Sequence, residues 1–152
     1  MYGPALAAEN PSNGIDLWLK RTEELVVDSF YRGELKYGKS YHEDHGQGLD
    51  CYKVGNTLGA GGVAPYVNGE LLVGKHFDTY KVLDNGPLRS SFTLTYNEVD
   101  INGKKYKKEV TIHTADGTVM NKAVVNITGK TQTLELAAAI SAKQQQTENK
   151  SR

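Results

Sequence analysis

The sequence predicts an all-β fold, an antiparallel β-sandwich with at most one or two short helices, and three observations carry that prediction. Several segments alternate apolar and polar residues with the period of a half-buried strand. Turn chemistry such as Asn-Gly and Asp-Gly recurs roughly every eight to twelve residues between them, the rhythm of sandwich hairpins. The third is an exception: Ser40 to Gly62, SYHEDHGQGLDCYKVGNTLGAGG, has neither helical nor strand periodicity and holds six glycines and two histidines. It reads as an ordered loop with special backbone geometry, and it is where function is expected.

Taken in order, Tyr2 to Ala8 reads as the end of a strand before the turn cluster Asn-Pro-Ser-Asn-Gly. Ile15, Leu17 and Leu19 alternate as a strand, after which Leu25, Val26, Phe30 and Tyr31 fit a short helix or an irregular segment. Leu49 to Gly55 has the alternation of a strand leaving the loop, with Asp50 and Tyr52 on one face and Cys51 and Lys53 on the other. Asn68-Gly69 inside PYVNGELLVG is a type I′ hairpin signal. His76 to Leu83 reads as a strand, and Leu88 to Val99 alternates Phe92, Leu94 and Tyr96 against Ser91, Thr93 and Thr95. Asn102-Gly103 turns the chain into Tyr106 to His113, where Tyr106, Lys108, Val110 and Ile112 share the packing face and Lys105, Lys107 and Glu109 the wet one. After Asp116-Gly117, Val119, Ala123, Val125 and Ile127 alternate against Asn121, Lys122, Val124 and Asn126. Thr131 to Ile140 fits either a last strand or a short helix, since its alanines favour the latter.

The chain has 152 residues, enough for one core but not two. Residues 1–140 read as one partial sandwich domain and residues 141–152 as a polar tail. Lys plus Arg and Asp plus Glu are 18 each, so no net field draws nucleic acid or an anionic membrane. No apolar run is long enough to span a bilayer, and the first residues lack the basic start and apolar centre of a signal peptide. The single Cys51 excludes an internal disulfide and a Cys-rich zinc site.

The chemistry available in the loop is acid–base chemistry. His42 and His45 flank Glu43 and Asp44, and an imidazole beside a carboxylate is a proton-transfer pair whose tautomer the carboxylate fixes. The same four residues also fit a solvated loop, and as a metal set they are weak, because flanking glycines break the helix that would place His42 and His45 together. Tyr52 fits either a proton donor or a core aromatic with a bonded hydroxyl. Trp18 and Tyr66 have the planes that stack on sugars, though such residues are also core or rim. His76 is a candidate for the same cleft, and Arg89 for pairing with a uronate carboxylate. The residues specify no cofactor.

The ordered motifs MYGPAL, ENPSNGIDLWLKRTEELVVDSFY, SYHEDHGQGLDCYKVGNTLGAGG and YKVLDNGPLRSSFTLTY resemble the bacterial proteins grouped as domain of unknown function 4861, found largely in polysaccharide-degrading Bacteroidetes. The resemblance implies a larger β-sandwich akin to galactose-mutarotase-like and polysaccharide-lyase supersandwiches, with a carbohydrate cleft on one sheet. It also implies that this chain corresponds to part of a longer parent with a further C-terminal half, periplasmic or extracellular. The matching positions are Tyr41, His42, Asp44, His45, Gly46, Gly48, Asp50, Tyr52 and Lys53.

Three functional expectations follow. In the first, the parent acts on uronic-acid-containing poly- or oligosaccharide by elimination: His42 or His45 abstracts the proton beside the carboxylate and Tyr52 protonates the departing oxygen. Trp18, Tyr41, Asp44, Asp50, Lys53, His76 and Arg89 hold the sugar. In the second, the sandwich binds carbohydrate without catalysis. A third reading is an inactive fragment with exposed sheet edges.

Overall fold

A computed structural model describes residues 14–118, 120–129 and 133–140. The strand expected over Tyr2 to Ala8, Val119 and the polar tail lie outside these residues. Among the described residues, nine strands and one helix follow in the order β1 (Leu19–Lys20), α1 (Val27–Tyr37), β2 (Gly48–Leu49), β3 (Ala60–Val67), β4 (Glu70–Leu71), β5 (Thr79–Asn85), β6 (Arg89–Ile101), β7 (Lys104–Ala115), β8 (Asn121–Thr128) and β9 (Leu136–Ile140). The fold is all-β as expected, in three antiparallel sheets ordered β1-β2, β4-β3-β9 and β5-β6-β7-β8.

The hairpins form where the turn residues demand them. Asn68 and Gly69 have φ of 51° and 87°, and Asn102 and Gly103 of 54° and 76°, so both turns take the left-handed pair of a type I′ hairpin. The second turn sets the register of the two longest strands, pairing Ile101 with Lys104, Leu94 with Val110 and Ser90 with Thr114. That register puts Leu94, Tyr96, Tyr106, Lys108 and Ile112 on the buried face, the face the alternation predicts. Asn121 is a correction: with a strand period of two it lies on the side of Ala123, and both line the inner face.

The β4-β3-β9 sheet covers part of the four-stranded sheet. Leu58, Gly61, Gly62 and Val63 lie against Tyr96, Lys108, Val110 and Val125 across a small void. The last segment is a strand, β9, pairing Ala138 with Val63 and Leu136 with Pro65. Its alanines favour a helix locally, but pairing with β3 decides the outcome, as tertiary context does for short segments.

Two expected strands are much reduced. Ile15 makes a single parallel bridge to Gly59, and β1 has only two residues. Leu49 to Gly55 contributes only its first residue to a strand, β2 ending at Leu49. The reason is backbone crowding. Gly48 (φ 112°) and Gly59 (φ 63°) bring the chain so close to Leu19 and Ile15 that a Cβ at either would collide with backbone. Close crossings of this kind suit glycine and interrupt a regular ladder.

Candidate functional site

Helix α1 and the loop after it build the site together. The helix has no side-chain N-cap, but Ser29 Oγ donates to the Val26 carbonyl at 2.9 Å, and Asp28 and Lys36 complement its dipole. It stops at Gly38 (φ 62°), whose N–H donates to the Glu34 carbonyl while Lys39 N–H donates to that of Gly33. That Schellman geometry turns the chain back along the helix. Glu34 Oε2 then accepts the Tyr41 N–H at 3.1 Å, tying the loop to the helix that precedes it.

Asp44 organises the loop. Its Oδ1 accepts the N–H groups of Gly46 at 2.8 Å and Gly48 at 3.2 Å, and its Oδ2 lies 3.2 Å from Arg21. The Gly46 and Gly48 N–H groups, then the Arg21 and His45 charges, hold its carboxyl below the ordinary value. These bonds commit Asp44 to loop architecture. His45 Nε2 lies 2.9 Å from the Ser40 carbonyl. A carbonyl only accepts, so the neutral ring carries its proton on Nε2 and Nδ1 is the basic nitrogen.

His42 packs against Tyr41 and Asp50. Its Nδ1 lies 3.0 Å from the Asp50 carbonyl and 3.6 Å from Asp50 Oδ2, and its ring centroid is 4.5 Å from that of Tyr41. Asp50 is mostly buried, and burial followed by the Asp16 carboxylate raises its pKa, while His42 and the Tyr52 N–H pull the other way. Tyr41 stacks on Trp18, centroids 5.0 Å apart and planes 19° from parallel, and Trp18 stacks in turn on Phe30 of α1 at 5.7 Å. Asp16 accepts from the Trp18 indole at 3.3 Å. Trp18, Tyr41, His42 and Asp50 therefore form one cluster, with Tyr52 joined to it through its amide.

His45 and Tyr41 also line a hollow of about 260 Å³ between α1 and the loop. Its other walls include Arg32 and Tyr37 from the helix, Lys39 beyond its end, and Glu43. This is slightly below the usual range for drug-sized ligands and suits a single sugar ring. Two cationic residues, a histidine, two tyrosines and the Glu43 carboxylate thus share its walls. Sequence reasoning missed Arg32, Tyr37 and Lys39. The available signal was helical spacing, since Ser29, Gly33 and Tyr37 recur every four residues and all line the hollow.

The remaining predicted site residues lie elsewhere in the fold. His76 stands before β5 with its ring 3.9 Å from Phe77. Arg89 opens β6 and pairs with Asp84 at 2.9 Å. Arg89 thus belongs to the four-stranded sheet, and His76 to the loop that leads into its edge strand β5. Lys53 is exposed and Tyr66 lies on β3. Gly59 and Gly62 make tight backbone approaches to Ile15 and Leu58, whereas Gly61 (φ 101°) faces open space. Among the described residues, no group of three or more His, Cys, Asp or Glu side chains is placed to hold a metal ion.

No solved structure matches the chain. An uncharacterized protein, P7, of Formosa agariphila is 35% identical over 136 residues, covering 84% of this chain but 34% of the relative. The chain thus spans about a third of that relative's length. The profile of the family described as domain of unknown function (DUF4861) matches residues 1–152, and the chain belongs to that family.

Proposed function

We propose that the hollow between α1 and the His42–His45 loop binds an acidic sugar unit, and that this chain is the sugar-holding part of a carbohydrate-active protein. The observation that carries the reading is the convergence of Arg32, Lys39, His45 and Tyr41 on one sugar-sized space. A uronate carboxylate finds charge-assisted donors in Arg32 and Lys39, and the sugar ring finds phenol planes in Tyr37 and Tyr41.

The same residues support elimination. Nδ1 of His45 takes the proton beside the carboxylate, the released electron pair forms the C4–C5 double bond, and the C4–O bond breaks. The departing oxygen takes its proton from Tyr37, the more exposed phenol of the hollow. Arg32 and Lys39 stabilise the enediolate in between. Tyr52 lies with Asp50, so the donor role passes from it to Tyr37. The experiment is to incubate the full-length Formosa relative with pectin, alginate and ulvan oligosaccharides and follow absorbance of the new conjugated double bond. Absence of signal on all three rejects elimination.

Non-catalytic binding is the second reading. It is favoured by the commitment of Asp44 to backbone donors and Arg21, which leaves the hollow without a second carboxylate from that residue. Binding that survives His45→Ala, with no unsaturated product from the wild type, selects it.

A further inference from the structure

The two facing sheets differ in size. The central strands β6 and β7 have 13 and 12 residues, whereas β3 and β9 opposite have eight and five. Where the sheets overlap, Leu58 and Tyr96 are buried. Where they do not, a trough of about 920 Å³ opens over Val82, Phe92, Ile112 and Ala123, with Ile140 of β9 at its wall. Val82 is 55% and Ile140 77% exposed. Among the described residues β9 is the end strand of its sheet, so its outer backbone groups have no strand beside them.

We propose that in longer family members this trough is roofed by additional β-strands. They come from the sequence outside the matched third, add to the open edge of β9, and lay an apolar face on Val82, Phe92 and Ile112. Two observations choose this occupant. The Formosa relative carries about two thirds of its length outside the match, ample for more strands. Val82, Phe92, Leu94, Ile112 and Ala123 give the trough a continuous apolar stretch, with Tyr80, Asp84, Ser91, Thr114 and Asn121 also lining it, so an apolar strand face laid on that stretch gains burial. The inference is independent of the sugar site.

The test is thiol accessibility. Val82→Cys is placed in this chain with Cys51→Ser, and the aligned position is changed likewise in a variant of the full-length Formosa relative whose own cysteines are replaced by serine. Maleimide labelling is expected at the free-thiol rate in this chain and slower by about tenfold or more in the relative. Equal rates overturn the proposal. Protection in this chain that grows with its concentration also overturns it, because a second copy is then the occupant. Tyr80→Cys, on the same face and exposed, serves if the first variant fails to fold.

Discussion

Trp18 and Tyr41 lie face to face, 5.0 Å between ring centroids, and that stack joins the histidine loop to helix α1 through Phe30. The loop that carries His42 and His45 is held to the helix through this joint. Trp18→Ala is expected to cost about 2–3 kcal/mol, less than for a fully buried tryptophan, because Trp18 is half-buried. Urea denaturation measures it, and the His42 and His45 ring resonances should become solvent-averaged.

Two loop glycines separate conformational strain from steric conflict. Gly46 (φ 103°) faces open space, whereas a Cβ on Gly48 (φ 112°) strikes Leu19 and Lys20 backbone. Gly46→Ala is expected to cost about 1–2 kcal/mol from backbone strain alone. Gly48→Ala adds displacement of β1 and should exceed it by about 1 kcal/mol or more. Equal losses would show that the crossing of β1 and β2 is not tight.

Lys108 gives the chain an alkaline signature. Its ammonium lies 3.8 Å from the Tyr96 ring centroid with the residue 5% exposed, and burial lowers its pKa from 10.5 to about 8. Between those values the unfolded chain holds a proton that the folded chain has released, so stability rises with pH from about 8. Burial also raises the Tyr96 hydroxyl from 10.0 to about 12, and there the folded state holds the extra proton. Above pH 10 the tyrosine opposes the lysine, so stability should rise from about pH 8 and level off or fall beyond about 10. Lys108→Met should remove the rise and stabilise the protein at neutral pH by about 1–3 kcal/mol.

Asp44 gives an acid signature of opposite origin. Its folded carboxyl lies below the ordinary 3.8, so its contribution is present above that value and lost as pH falls through the lower folded one. Amide exchange at Gly46 and Gly48 should accelerate in that range. Asp44→Asn should show the faster exchange already at neutral pH, having lost the ion pair with Arg21.

The hairpins were legible in the sequence because their cause is local. Asn68-Gly69 and Asn102-Gly103 need left-handed φ, and few residue pairs supply it. The packing face of β7 was legible too, Lys108 included, since alternation places it there whatever its charge. The hollow was not. Its walls come from helix α1 and from a loop folded back on it by Tyr41 N–H reaching Glu34, a contact no periodicity encodes. His76 and Arg89 were grouped with the histidines by chemistry alone, but β6 carries Arg89 into another sheet and His76 lies in the loop before β5 of that sheet. The short β1 and β2 escaped for a related reason: their brevity follows from the contact of Gly48 with Leu19, which is distant in sequence.

The acidic-sugar site is tested most directly by titrating this chain with an oligogalacturonate while following the His45, Tyr41 and Arg32 resonances. Saturable shifts at all three are expected, with affinity falling about tenfold in Arg32→Ala or Lys39→Ala as one charge-assisted contact is lost. Shifts confined to other parts of the chain, or affinity that both substitutions leave unchanged, would contradict it.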